Sequence, residues 1–403
     1  MLLLLKIAIL AIIFIILIRL KLSIGFSFLV LSFLWALFFS MPLANFSKSV
    51  FLAVFSFSTV RLYIIVYLIA LIGIMLKQTG EADAVADSVS RLFREPRPAV
   101  TILPAVIGLL PMPGGAMFSA PLFEKSAAVF SLPPEKKLVI NYWFRHLWEY
   151  CWPLYPGLIV ASEMLDVPIT RLMASQFPFT LFMILLGLLF FILPLPRIMA
   201  ERDRKISFRD ILNFILRLWF IWMIVICSVV GGVDLAVALA LISLVFLVML
   251  LLRKALSSKL LLSFLKDAFS FKILVLVFSV MVFKQVIEGS GALDSLPDVL
   301  SALGLPVVFI LFVIPFSLGL MTGVNFAYIG ISFAIVLPII SGNLTLVAFV
   351  YSSGFAGVLL SPVHLCLALS KIYFDADWGK VYKLLFLPVL LLIVFSFIFL
   401  LVR

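Results

Sequence analysis

Apolar runs of about 17–25 residues recur along this chain, the length a helix needs to cross the hydrocarbon core of a bilayer. That pattern removes most folds at once. With no water in the core, backbone N–H and C=O groups have to be paired inside the protein, so continuous apolar runs span as helices. Of the 403 residues, 65% are hydrophobic and only 12% charged, a balance outside the range of soluble globular domains. The expected class is an all-α polytopic membrane protein. The first run, LLLLKIAILAIIFIILIRL, has no small-residue cleavage site after it and reads as a retained span. The net charge of +11 is ascribed to basic cytoplasmic loops and not to a nucleic-acid partner. Cys151, Cys227 and Cys366 lie scattered in apolar segments, with no metal-ligand spacing and no disulfide framework.

Ten full spans are predicted, at roughly 3–20, 24–44, 59–77, 138–163, 172–195, 210–230, 233–252, 271–287, 343–368 and 381–402. Two further apolar stretches, 98–131 and 303–341, are long enough to enter and leave on one side. Each has a helix-breaking centre, PMPGG at 111–115 and GLMTG at 319–323, so both are predicted to be re-entrant hairpins. The loop at 195–209 carries Arg197, Arg202, Arg204, Lys205 and Arg209. Placing it in the cytoplasm leaves few basic residues on the other side and both termini outside. Between the third span and the first hairpin, GEADAVADSVSRLFREPR at 80–97 puts Val85, Val89, Leu92 and Phe93 on one helical face. It is predicted to be an interfacial helix; a plain connector is the plainer alternative.

The two halves match at a near-constant spacing. Met112 and Gly114 pair with Met321 and Gly323, a separation of 209 (321 − 112). The same separation relates Tyr142 to Tyr351, Pro153 to Pro362, Asp166 to Asp375 and Arg171 to Lys380. Each half, 1–195 and 210–403 with 196–209 as cytoplasmic linker, then holds five spans and a hairpin. Five crossings is an odd number, so the second copy is inserted upside down, the inverted repeat usual in secondary transporters.

Both halves also break the span after the hairpin, at WPLYPG (152–157) and at SPVH (361–364). Irregular backbone at membrane depth is tolerated only where it lines a cavity or is buried in protein, and broken helices expose ends that bind ions. The expected substrate site therefore lies among Pro113, Gly114 and Gly115 of the first tip, Thr322, Gly323 and Asn325 of the second, and Tyr155, Ser361 and His364 at the span breaks.

The fourth span adds polar residues at depth: NYWFRHLWEYCWPLYPG contains Asn141, Arg145, His146 and Glu149. From Leu138, Arg145 is about 11 Å and Glu149 about 17 Å along a helix. An unpaired charge there costs roughly 2.5–3.5 kcal/mol on insertion scales, and Arg145 and Glu149 at i, i+4 can neutralise each other. One reading gives Arg145 to an anionic group and Glu149 with His146 to coupled protonation; the other is a structural ion pair. Thr322 and Asn325 can make a sodium site, although hydroxyls in spanning helices often bond their own backbone. No cofactor is expected beyond a coupling Na+ or H+. No His-Glu-x-x-His or Gly-x-Ser-x-Gly pattern suggests an intramembrane enzyme. A passive channel is the nearer alternative to a carrier.

PMPGGAMFSAPLF, followed by NYWFRHLWEYCWPLYPGLI, resembles the prokaryotic membrane family catalogued as domain of unknown function 401. That family is grouped with the ion transporter superfamily of gluconate, dicarboxylate and citrate permeases. The resemblance implies a homodimer working by an elevator motion, with a scaffold and a mobile domain that holds the hairpins. It supplies no substrate, and the paired Ser-Asn-Thr tip motifs of the dicarboxylate branch are absent. The expected function is a secondary active transporter of a small organic anion in the cytoplasmic membrane.

Overall fold

Proline and glycine decide where helices stop in a chain so uniformly apolar, since almost every other residue propagates a helix in lipid. The computed structural model describes residues 2–92, 96–109, 115–197, 207–296, 298–299, 304 and 306–402, and all their regular elements are helical. Pro113 and Gly114, with the rest of 110–114, lie outside the described residues, as do Phe93 and 198–206 of the linker.

Six helices are long and apolar enough to cross a membrane, seven if one bent pair counts as a span. This is a multi-pass membrane protein. The predicted spans at 59–77, 172–195, 233–252, 271–287 and 381–402 correspond to Phe57–Gln78, Ile169–Ile192, Leu235–Leu252, Phe271–Ser290 and Trp378–Val402.

The 3–20 run is the helix Leu2–Arg19, while two expected uninterrupted spans are corrected. The 24–44 run stops at Phe38; Ser40 turns with φ 53, and Pro42 precedes a separate helix, Leu43–Phe55. The 210–230 run bends by 57° between Arg217 and Trp219. Its first part, Phe208–Arg217, buries no residue and exposes Phe208, Ile211, Leu212 and Ile215, the geometry of a helix lying along an interface. The 138–163 and 343–368 runs are interrupted at 152–155 and 361–364, as their prolines predict; the first interruption also starts earlier, since the α-helix ends at Arg145. The helix expected within 80–97 forms as Glu81–Leu92, with Val85, Val89 and Leu92 buried.

Local geometry repeats at the spacing found in the sequence. Pro156–Leu165 and Leu365–Phe374 are both ten residues long, 209 apart at each end. Each ends on an aspartate in the left-handed region, Asp166 at φ 52 and Asp375 at φ 51, a conformation few non-glycine residues adopt. Packing between the halves is reciprocal. The helices Pro96–Gly108 and Gly115–Ala127 pack on each other and on Pro134–Arg145, and Val307–Thr322 and Asn325–Ile340 do the same with Leu344–Leu360. Gly115–Ala127 also packs on Leu365–Phe374 of the other half, while Asn325–Ile340 packs on Pro156–Leu165. At about 1.5 Å per residue, the 13- and 16-residue arms of these pairs are shorter than a bilayer core of about 30 Å.

Both pairs are held by glycine at a backbone crossing. A Cβ on Gly108 would sit 2.3 Å from the Arg145 carbonyl oxygen, and one on Gly319 would sit 2.0 Å from that of Gly354. Those contacts are backbone and have no side chain to move aside. Gly319→Val is therefore expected to lower stability by about 1–3 kcal/mol or more, as overpacking does. The check is thermal unfolding of the detergent-solubilised protein, with Gly379→Val, where the one near atom is Oδ1 of the exposed Asp377 side chain at 3.2 Å, as comparison; equal midpoints would contradict the crossing.

Candidate functional site

Every helix end at membrane depth leaves carbonyl or amide groups without intrahelical partners. Aromatic donors from neighbouring segments take the carbonyl ends. Trp148 Nε1 donates to the Ala105 carbonyl at 2.8 Å, Trp152 Nε1 to Leu109 at 2.9 Å, and the Tyr155 hydroxyl to Gly108 at 2.6 Å. All three serve the end of Pro96–Gly108. The Tyr142 and Tyr382 hydroxyls donate to Leu359 and Leu360 at 3.2 and 3.1 Å, at the end of Leu344–Leu360. Tyr351 donates to the Glu149 carbonyl at 2.9 Å. Leaving such a buried acceptor unpaired costs about 1–3 kcal/mol.

The amide ends are treated differently. Pro156–Leu165, Leu365–Phe374 and Asn325–Ile340 all start without a side-chain cap. They also converge. A Cβ on Gly157 would lie 3.1 Å from Asn325 Cβ, and one on Gly323 would lie 2.6 Å from the His364 amide nitrogen and 2.8 Å from Ser361 Oγ. Gly323 holds the second hairpin's turn at φ 63, where residues with a Cβ are strained. Gly115 opens a further helix, and a Cβ there would fall 2.1 Å from Arg145 Nη2. The Arg145 guanidinium thus lies against a helix N-terminus, and two sources of positive potential are side by side.

Arg145, His146 and Glu149 are 3%, 1% and 6% exposed. The expected i, i+4 helical pair of Arg145 and Glu149 is corrected. The α-helix ends at Arg145, and Glu149 lies in a 3₁₀ turn, Leu147–Tyr150, whose three residues per turn rotate position i+4 away from the α-helical stripe. Arg145 Nη1 approaches Cys366 Sγ at 3.5 Å, and Glu149 Oε2 accepts from Asn325 Nδ2 at 2.6 Å. Both contacts cross from one half of the chain to the other.

Other expected residues divide by what their polar atoms already do. The Tyr155 hydroxyl is committed to hairpin backbone, so it positions the hairpin. Thr322 Oγ1 donates to Leu318 O at 2.7 Å and accepts from Val324 N at 3.3 Å, which spends most of its capacity inside its own turn, against a leading part in sodium binding. Asn325 Oδ1, Ser361 Oγ and both amide atoms of Asn141 are buried without a hydrogen-bond partner among the described residues. His146 and His364 face each other, Nε2 to Nε2, at 3.1 Å. Cys366 was not anticipated: its partner His146 is far away in sequence, and only the short spacing His364-x-Cys366 hinted at it.

A separate cleft of about 380 Å³ lies at the C-terminal end of Pro156–Leu165, lined by Arg61, Ser162, Glu163 and Asp166. Its polar lining residues Ser162 and Glu163 lie further along the helix whose amide end, at Pro156, belongs to the convergent group. Arg61 bridges Glu163 and Asp234, with Nε 2.8 Å from Asp234 Oδ2. Burial opposes the charge on Asp234, but the hydrogen bond and charge of Arg61 hold its carboxyl below the usual aspartate range.

The chain belongs to the family described as Protein of unknown function (DUF401), whose model matches residues 2–403. No curated protein matches the sequence.

Proposed function

We propose that this member of the family is a secondary active transporter carrying a small organic anion across the cytoplasmic membrane, coupled to H+ or Na+. The observation that carries the proposal is the asymmetry of the helix ends at the centre. Carbonyl ends are capped by Trp148, Trp152, Tyr155, Tyr142 and Tyr382, whereas three amide ends are left without side-chain caps. Arg145 lies over a further helix start. Each bare N-terminus carries about half a positive charge, so the centre favours an anion. Asn325 Oδ1 and Ser361 Oγ are buried acceptors available to a coupling cation or to a protonated solute.

An inverted repeat with elevator motion is the architecture proposed. The reciprocal packing of the hairpins and the paired ten-residue helices support it, since a two-fold axis requires each contact to recur with the halves exchanged. The mobile part holds the hairpins and broken spans. The scaffold holds Phe57–Gln78 and Phe271–Ser290, which pack on Pro156–Leu165 and Asn325–Ile340 respectively. Gly330 meets Phe28 and Val280 across one such contact, an apolar surface suited to sliding. The ionic tie from Arg61 to Glu163 is a latch between the two parts. The scaffold is also the proposed homodimer contact, to be checked by mass measurement in lipid nanodiscs.

The decisive measurement is uptake of radiolabelled carboxylates of two to six carbons into vesicles containing the purified protein. The carrier reading expects saturable uptake, accumulated against a concentration gradient by an imposed pH or sodium gradient. Flux that never saturates and ignores both gradients would replace the carrier with a channel.

A further inference from the structure

Only two histidines occur in the chain, one from each half, and the fold places them in contact. His146 Nδ1 lies 2.6 Å from the Tyr142 carbonyl oxygen, and His364 Nδ1 lies 2.6 Å from the Gly323 carbonyl oxygen. A carbonyl oxygen can only accept, so each Nδ1 carries the hydrogen and donates it. Each neutral ring then has its lone pair on Nε2, and the two Nε2 atoms face one another at 3.1 Å. Two opposed lone pairs need a cation: either a proton shared between the rings or a metal. Cys366 supplies a third donor, with its Sγ and both histidine nitrogens all within 4.8 Å of one another.

We infer that His146, His364 and Cys366 form a binding site for a borderline-to-soft divalent transition metal ion of the zinc and cobalt class. Three features separate this from an accidental cluster. Metal-bound histidines characteristically donate their second ring N–H to a backbone carbonyl or carboxylate, which fixes tautomer and orientation; both rings already do so. Two imidazoles on a tetrahedral ion with bonds of about 2.0–2.1 Å hold their nitrogens roughly 3.3 Å apart, a few tenths of an ångström from the spacing present. The third donor comes from the same helix as His364: Cys366 Sγ lies within 4.8 Å of both imidazole nitrogens, and a cysteine sulfur is a ligand that zinc-class ions take readily.

The donor set also selects among cations. Two imidazole nitrogens and a thiolate suit zinc, cobalt or copper, whereas sodium, magnesium and calcium prefer oxygen. Three protein ligands leave a fourth position open on a tetrahedral ion. Tyr142 packs against both imidazoles, with ring centroids at 4.5 and 5.7 Å, and closes one side. His364 is partly exposed beside the exposed Pro362 and Val363, which gives the ion a way in. The site holds whatever the transported solute is, and metal binding is measurable without transport.

The test uses full-length protein in detergent, stripped with a chelator and titrated with Co2+ while absorbance is followed. One equivalent is expected to produce a thiolate-to-cobalt charge-transfer band in the near ultraviolet and visible ligand-field bands, both displaced by Zn2+ and not by Na+ or Mg2+. Cys366→Ser should abolish the charge-transfer band. His146→Ala and His364→Ala should each weaken binding by about tenfold or more. Cys151→Ser and Cys227→Ser should leave the spectrum unchanged, and gel filtration confirms that each variant is folded. Absence of a stoichiometric band in the wild-type protein, or a band that survives Cys366→Ser, would overturn the site and leave a shared proton between the rings.

Discussion

Arg145→Gln is expected to abolish binding of the transported anion while the protein remains folded. The guanidinium is 3% exposed and lies over the start of Gly115–Ala127, where no other arginine or lysine is buried among the described residues. Removing one partner of a buried, hydrogen-bonded charge pair costs about 2–5 kcal/mol, or roughly 30-fold to several thousand-fold in Kd. Glutamine keeps hydrogen-bonding capacity and removes the charge. Arg145→Lys should recover only part of the affinity, because an ammonium lacks the planar fork that holds a carboxylate at two points. Equilibrium binding of the best carboxylate from the uptake panel, with thermal unfolding as a folding control, reads the effect. A Kd within twofold of wild type would make Arg145 purely structural and remove the charge on which the anion proposal rests.

The second large effect concerns coupling. Glu149 Oε2 accepts from Asn325 Nδ2 at 2.6 Å, so Glu149→Gln preserves an acceptor for Asn325 and removes only the ionisable group. When ionised, Glu149 offsets the charge of Arg145; a proton on it restores the attraction for an anion, so proton and anion bind together. Glu149→Gln is fixed in the proton-bound electrostatic state. Anion exchange down a gradient should persist, while accumulation driven by a pH gradient should fall to the level of gradient-free vesicles. Counterflow and pH-driven uptake in one vesicle preparation separate the two. Wild-type accumulation by Glu149→Gln would exclude this carboxylate from coupling. Uptake that follows a sodium gradient instead would move the coupling site to Asn325 Oδ1 and Ser361 Oγ, which are buried and unpaired among the described residues.

Much of the architecture was legible from residue order alone. Helical class followed from the apolar runs, because lipid leaves a continuous apolar segment few alternatives. The 209-residue spacing anticipated two matched turns: Asp166 and Asp375 take left-handed φ values, and the ten-residue helices before them begin 209 apart. The amphipathic pattern of Val85, Val89 and Leu92 located a helix and its buried face, since a 3.6-residue period states which face is buried. Proline marked the interruptions at 152–155 and 361–364 and the one that ends at Pro42. The bend between Arg217 and Trp219 has no proline or glycine at the break itself. It depends on which neighbours pack alongside.

Residue order alone placed Arg145, His146, Glu149 and His364 beside interruptions of long apolar runs, and it marked them out because polar groups in such runs are costly to bury. Only the tertiary structure decided whom they meet. A helical repeat placed Glu149 one turn above Arg145, yet the 3₁₀ turn after Arg145 sends it to Asn325, 176 residues away. Likewise no local spacing joins His146 to His364 and Cys366; they come together where Pro134–Arg145 packs on Leu365–Phe374 across the two halves. The physical reason is range. Periodicity and propensity act over a few residues, whereas a site built where distant segments cross is fixed by packing between stretches about 200 residues apart.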